Sequence, residues 1–208
     1  TPSSFPRSGA SNISRAIHIG TLAALSGLAG DVAGIRPQRL NWLVRQAALQ
    51  VEARLAGGYE LPHELVEIGE DARLGHGFEL MPKPDDGDVF IDFEGHPFWR
   101  PETNLFFLFG LIERDKHGRW SYRDWWAHNP DGESKAVKQL VDYLTNRRSA
   151  HPGMHAYHYN HTERSALQNL TSKHGVGEAE LGALVQAEVF VDLFAVAHNA
   201  IQVGAESY

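Results

Sequence analysis

The segment VFIDFEGHP, residues 89 to 97, sets two carboxylates, Asp92 and Glu94, two positions apart in an otherwise apolar run. Successive side chains of a β-strand point to opposite faces, so Asp92 and Glu94 share one face while Val89, Ile91 and Phe93 serve the other. So apolar a run suits a central strand better than an edge, and Gly95-His96-Pro97 read as a turn that follows at once. Two carboxylates converging on one poorly hydrated spot repel each other unless a proton or a cation offsets their charge. Hard oxygen ligands favour magnesium or manganese over zinc, and a pair of such ions can drive hydrolysis of a phosphodiester. The plainer alternative is a solvated pair of charges flanking an exposed strand, since a three-residue DxE pattern arises easily by chance.

Outward from this strand the pattern alternates. LFFLFGLIER (105–114) and RWSYRDWWA (119–127) read as second and third strands joined at DKHG. GESKAVKQLVDYLTNR (132–147) reads as an amphipathic helix with Val137, Leu140, Val141 and Leu144 inward. GMHAYHYN (153–160) is a fourth, parallel-type strand, and ERSALQNLTSKHG a helix that stops at Gly175. LGALVQAEVFVDLFAVAHNAI (181–201) adds a helix, a short strand around 189–191, and another helix. Three antiparallel strands, a helix and a parallel strand-helix repeat predict an α/β domain over 88–208, a mixed sheet with helices on its faces.

The front of the chain differs. A Pro/Ser/Gly-rich lead, residues 1–12, is expected to be flexible, and residues 13–58 read as a small all-helical segment. Its clearest helix begins at Pro37, turns Leu40, Leu43, Val44, Ala47, Val51 and Leu55 to one side, and ends at Gly57-Gly58. Residues 59–87, with Pro62, Pro82 and Pro84, form a connector with one short strand near Phe78–Met81.

Charge follows the same division. The 208 residues carry a net charge of −7, yet residues 1–56 hold six arginines against Asp31 and Glu52, a local +4, and the rest stands at −11. A basic front can contact phosphate while an acidic body holds cations; a solvated arginine face is the competing reading. No apolar run approaches the roughly 20 residues of a membrane span, and the first residues lack a signal peptide's apolar core. With no cysteine, disulfides and thiolate metal sites are excluded, and a cytoplasmic location is expected.

A second chemical element is YHYNHTERSAL, residues 157–167. Glu163, in the first helical turn beyond the fourth strand, stands at the sheet edge where ligand sites of open α/β sheets lie, and is a third candidate metal-facing carboxylate. Asn160 and Glu163 also have capping-box spacing, so Glu163 could instead serve a backbone amide. His155, His158 and His161 would form a zinc site only on a helix, and MHAYHY reads as strand. His96 is a candidate for touching substrate phosphate; Tyr159 and Asn160 flank Glu163. Asp192, at a strand-to-helix junction, is either an N-cap or a supporting acid.

VFIDFEGHPF, the LFFLFGL strand, the paired WW, YHYNHTERSAL and VFVDLFAV, in this order and spacing, resemble the RNase H-like domain of the RecB-like nucleases, a branch of the DEDD exonuclease superfamily. The resemblance covers roughly residues 78–208 and implies an RNase H-like fold and metal-dependent cleavage of nucleic acid, with Mg2+ or Mn2+ as cofactor. It places Asp92 and Glu94 in the first exonuclease motif and Glu163 where the superfamily usually has an aspartate. The last motif, an Asp on a late helix, has no match before Tyr208, so the chain reads as a fragment of a longer protein that binds metal weakly and is inactive alone. Residues 13–56 resemble, more loosely, a helix-hairpin-helix-like segment, with Arg36, Arg39 and Arg45 as candidate nucleic-acid contacts and Gly34-Ile35-Arg36 in place of the usual GxG turn; a helical spacer is the alternative. The expected function is an exonuclease-like, two-metal nuclease acting on DNA rather than RNA, on single strands or ends; the alternative is a non-catalytic nucleic-acid-binding adaptor.

Overall fold

A computed structural model of the chain describes residues 19–57, 61–66, 77–101, 103–115 and 117–205. The lead expected over residues 1–12, with Arg7, and the first residues of the helical segment, with Arg15, lie outside them. Two compact units emerge, one of residues up to 65 with those from 202 onward, the other Val66–Ile201.

In the first unit, α1 (Leu22–Ser26) is capped by Thr21, whose hydroxyl accepts from the Ala24 amide at 3.1 Å. α2 (Pro37–Leu55) opens on Pro37, whose missing N–H costs nothing at a helix start. Its inward face differs from the periodic expectation: Leu40, Ala47, Leu49 and Ala53 are buried and Leu55 is 85% exposed. The reason lies in what α2 packs against. β1 (His63–Leu65), inside the expected connector, pairs with β7 (Ile201–Val203), and the Gln46 and Gln50 amides donate to the carbonyls of Val203 and Ala205 at 2.7 and 2.8 Å. A Cβ on Gly204 would stand 2.6 Å from the Leu49 carbonyl oxygen, so only glycine lets the returning chain approach this closely.

The second unit opens with a 3-10 turn over Gly77–Leu80 where a short strand was expected. Gly77 has φ 58 and packs against Ala200, where its missing Cβ would meet the backbone at 3.2 Å; that local conformation overrides the apolar run. Then follow β2 (Val89–Arg100), β3 (Thr103–Arg114), β4 (Trp120–Trp126), α3 (Pro130–Ala150), β5 (Ala156–His158), α4 (Thr162–His174), α5 (Glu178–Gln186), β6 (Phe190–Asp192) and α6 (Leu193–Ala200). The sheet order is β4-β3-β2-β5-β6, antiparallel among β2, β3 and β4 and parallel among β2, β5 and β6. This is the mixed sheet flanked by helices that the alternation predicts. Among the described residues no helix is long and apolar enough to cross a membrane.

Strand parity places the core. Val89, Ile91 and Phe93 of β2 and Phe109 and Leu111 of β3 are buried against Val137, Leu140, Val141 and Leu144 of α3, with α4 and α5 adding Leu167, Leu170, Leu181 and Leu184. Phe90, Asp92 and Glu94 alternate with them and are exposed. The expected turn at residues 95–97 is absent: β2 continues through it, Gly95 paired with Phe106 and His96 with Leu105, after a bulge between Glu94 and Gly95. Asp92 and Glu94 therefore sit in mid-strand in regular register, just before a bulge whose extra residue, Phe107, lies on β3.

Candidate functional site

Antiparallel register sets the residues of the exposed sheet face in rows. Asp92 pairs with Gly110 and Gly110 with Asp124; Glu94 pairs with Leu108 and Leu108 with Trp126. Directly paired residues point the same way, so Asp92, Glu94 and Asp124 share a face across three strands. Gly110 opens a notch between them. A Cβ there would lie 2.8 Å from the Tyr122 hydroxyl, so the phenol lies over the bare backbone of β3. Partial burial, then the charges of Asp124 and Asp92, push this hydroxyl above its ordinary pKa.

Glu163 comes to this neighbourhood from α4. Its side chain is 7% exposed, and Oε2 is buried with no hydrogen-bond partner. Burial raises its pKa; its own backbone amide and His158 oppose the shift, and the negative charges of Asp92 and Asp192 add to it. The capping-box alternative fails because the N-cap of α4 is His161 and Asn160 lies outside the helix with φ 70. Glu163 thus has no amide of Asn160 to serve, and its carboxylate turns inward.

Asn160 is instead the clasp of the β5–α4 loop. Its backbone N–H donates to Asp192 Oδ1 at 2.9 Å, and its carbonyl accepts from His158 Nδ1 at 2.5 Å. His158, buried, stands 3.7 Å from Glu163 Oε2 and pairs in register with Asp192 across β5 and β6. Because Nδ1 faces a carbonyl, which can only accept, that nitrogen carries the hydrogen. Asp192 is the N-cap of α6, accepting from Phe194 N at 2.9 Å, and holds Asn160 with the same oxygen. The N-cap reading of Asp192 is therefore the one observed. The Nδ1 of His155, the first histidine of the run, faces Asp88 at 3.1 Å.

The other candidates lie apart. His96, past the bulge, accepts the Phe98 amide at 3.1 Å. Tyr159 is exposed and meets Phe194 edge-on at 5.5 Å. Arg36, Arg39 and Arg45 belong to the first unit. There the Arg39 guanidinium lies 4.6 Å over Trp42 and Arg45 pairs with Glu64 at 2.6 Å, while Arg36 is exposed just before Pro37. Sequence reasoning missed Asp124 and Tyr122, and considered His158 only as a zinc ligand. Period-two alternation in RWSYRDWWA could have put residues 122 and 124 on one face, but not their pairing with Gly110.

Among the described residues no three His, Asp or Glu side chains stand close enough together to hold one ion. The donor chemistry nevertheless fits a hard divalent cation: a buried carboxylate oxygen with no hydrogen-bond partner, repelled by the carboxylates of Asp92 and Asp192.

A family model described as RNase_H superfamily matches residues 89–208, the span that holds the mixed sheet, Asp92, Glu94, Glu163 and Asp192. No curated protein and no solved structure matches the chain significantly. The family match covers more than half of the sequence, and the chain belongs to the RNase H superfamily.

Proposed function

We propose that this member of the RNase H superfamily is a divalent-metal-dependent nuclease domain, exonuclease-like, that hydrolyses phosphodiester bonds of DNA at single strands or ends. The observation that carries the reading is Glu163: a buried carboxylate with an unpartnered oxygen, repelled by Asp92 and Asp192, is costly to a fold and useful to a cation site. Asp92, Glu94 and Glu163, which do not come within reach of one ion in this structure, are the carboxylates that would have to close on magnesium or manganese. Bound there, such a cation supplies charge neutralisation and Lewis-acid polarisation at a phosphodiester.

The chain's own groups set the stage. Strand alternation from Val89 to Glu94 lets β2 present its two carboxylates away from the apolar core. Asp192 and His158 grip Asn160 from two sides and so fix the loop from which α4 carries Glu163. Tyr122, over Gly110, brings a hydroxyl donor beside Asp92.

The test is a calorimetric titration with Mn2+ of the wild type and of the double variant Asp92→Asn, Glu94→Gln. Binding is expected in the wild type and lost in the variant, with circular dichroism unaltered because both side chains are exposed. Equal heats from the two proteins would sink the reading. Nucleic-acid binding that depends on Arg36, Arg39 and Arg45 and ignores Asp92 would identify an adaptor instead.

A further inference from the structure

Besides Tyr122, the exposed sheet face carries large aromatic side chains that the carboxylate site does not use. Phe90, Ile112 and Tyr122 form the row next to Asp92, Gly110 and Asp124, and Trp120 pairs with Arg114 one step further along. Beside Phe90 lies a cavity of about 340 Å³ walled by Phe90, Tyr157 and Trp120 and edged by Arg114, Asp86 and Asp88. Phe90 stacks on Tyr157 at 5.1 Å and 26°, and meets Trp120 edge-on at 5.9 Å. Trp120 is 58% exposed and Phe90 38%, so both rings offer apolar surface to a ligand.

The polar groups narrow the ligand's chemistry. Asp88 is occupied by its own surroundings, accepting from Asp85 N at 2.9 Å, His155 N at 2.8 Å and the Tyr157 hydroxyl at 3.3 Å. The Arg114 guanidinium lies 4.9 Å over Trp120 and, among the described residues, makes no ion pair with an acid. The exposed Asp86 carboxylate stands at the same rim. Flat aromatic walls with a cationic donor and an anionic acceptor at the edge match a planar heterocycle that carries both acceptors and donors, which describes a nucleobase.

Position ties the cavity to the chemistry. Phe90 precedes Asp92 by two residues on the same strand face, a rise of roughly 6.6 Å at about 3.3 Å per residue. A base seated on Phe90 and Trp120 therefore has its backbone within about one nucleotide of the Asp92 carboxylate.

We propose that this aromatic cavity is a stacking subsite for one unpaired base of a single-stranded nucleic acid, so that the site selects single strands. The face of a base reaches such rings only when the base is not stacked within a duplex. The inference rests on the nuclease reading for the role of Asp92, but base stacking is measured without any metal.

The experiment is fluorescence-anisotropy titration of the chain, in EDTA, with a labelled single-stranded DNA oligonucleotide and with an abasic strand of equal length and charge. The ordinary strand is expected to bind at least about fivefold more tightly, and Trp120→Ala to weaken that binding roughly 5- to 100-fold while leaving the abasic strand unchanged. Phe90→Leu, which keeps apolar volume, should reproduce the base-selective loss. Equal affinity for the two strands, or losses of equal size on both, would overturn the subsite. So would variants that bind both strands as the wild type does but lose self-association in sedimentation, because the occupant would then be a second copy of the chain. Loss of the base-selective effect with Mn2+ binding intact defeats this inference alone, whereas absent Mn2+ binding with stacking intact defeats the nuclease reading alone.

Discussion

Two buried glutamates show how differently one side chain can be used. Glu133 is fully buried and accepts from the Phe106 amide at 2.7 Å and from Lys173 and His174 at 2.8 Å each. Burial pushes its pKa up, but these donors outweigh it and hold the carboxyl below its ordinary value. Glu163 has a weaker set of opposing contacts; burial dominates, and Asp92 and Asp192 add repulsion, so its pKa is raised. A group whose folded pKa is raised binds its proton more tightly in the native state, so its ionised form weakens the fold as pH climbs past that value. Glu163→Gln removes the charge at nearly constant shape. The metal-free variant is expected to gain about 1 kcal/mol at neutral pH, the scale of one unsatisfied buried group, and to melt about 2–4 °C higher. The same substitution should abolish Mn2+ binding. Thermal melts with and without Mn2+ check both; a less stable metal-free variant would mean that Glu163 is structural.

At the scale of elements, the antiparallel arm β2-β3-β4 carries Asp92 and Glu94, two of the three candidate carboxylates, and the glycines in and before it are not equivalent. At Gly87, before β2, a Cβ would stand 2.3 Å from His151 Cβ and 2.9 Å from Met154 Cβ, atoms tied to the backbone. At Gly110 the nearest obstacle is the tip of the half-exposed Tyr122, which can swing away. Gly87→Ala is therefore expected to cost about 1–3 kcal/mol, the range for overpacking, and Gly110→Ala less than about 1 kcal/mol while displacing the phenol. Urea unfolding of the two variants gives the ranking, and the reverse order would contradict this packing. These elements were largely legible in the sequence because period-two alternation from Val89 to Phe93 fixes which side chains face the core. Their ends were not. Gly95-His96-Pro97 has turn composition, yet pairing to Phe106 and Leu105 holds it extended. Glu163 was legible as a position, but its unpartnered oxygen depends on Asn160 being held outside the helix by Asp192, a contact across 32 residues of sequence.

Over the whole of the second unit, two carboxylates clamp α3 to the sheet from opposite ends of the helix. Glu113 of β3 accepts from Arg147 and Tyr143 of α3 and from Arg123 of β4, while Glu133 of α3 binds β3 through the Phe106 amide and α4 through Lys173 and His174. Apolar periodicity announces α3 and its inward leucines and valines, whereas Glu113 and Glu133 read as ordinary surface charges; only the register of β3 and β4 and the placement of α4 bring donors to them. The same limit hides β7, whose partner β1 lies some 136 residues earlier and whose short length carries no periodicity of its own. The Glu133 clamp has a direction in pH. Its depressed pKa means that the unfolded chain takes up this proton first as pH falls, so the stabilisation is complete above the ordinary glutamate range and is lost as pH drops through the folded value. Glu133→Gln keeps the shape but removes the charge and one of the two acceptor oxygens, so that its NH2 group faces a donor, and is expected to cost about 2 kcal/mol at pH 7. It should also flatten the acid limb of a stability-versus-pH curve from urea unfolding, so that variant and wild type converge only at a pH below the usual glutamate range. A variant curve parallel to the wild type down to that pH would show that other carboxylates, Glu113 first among them, govern the acid transition.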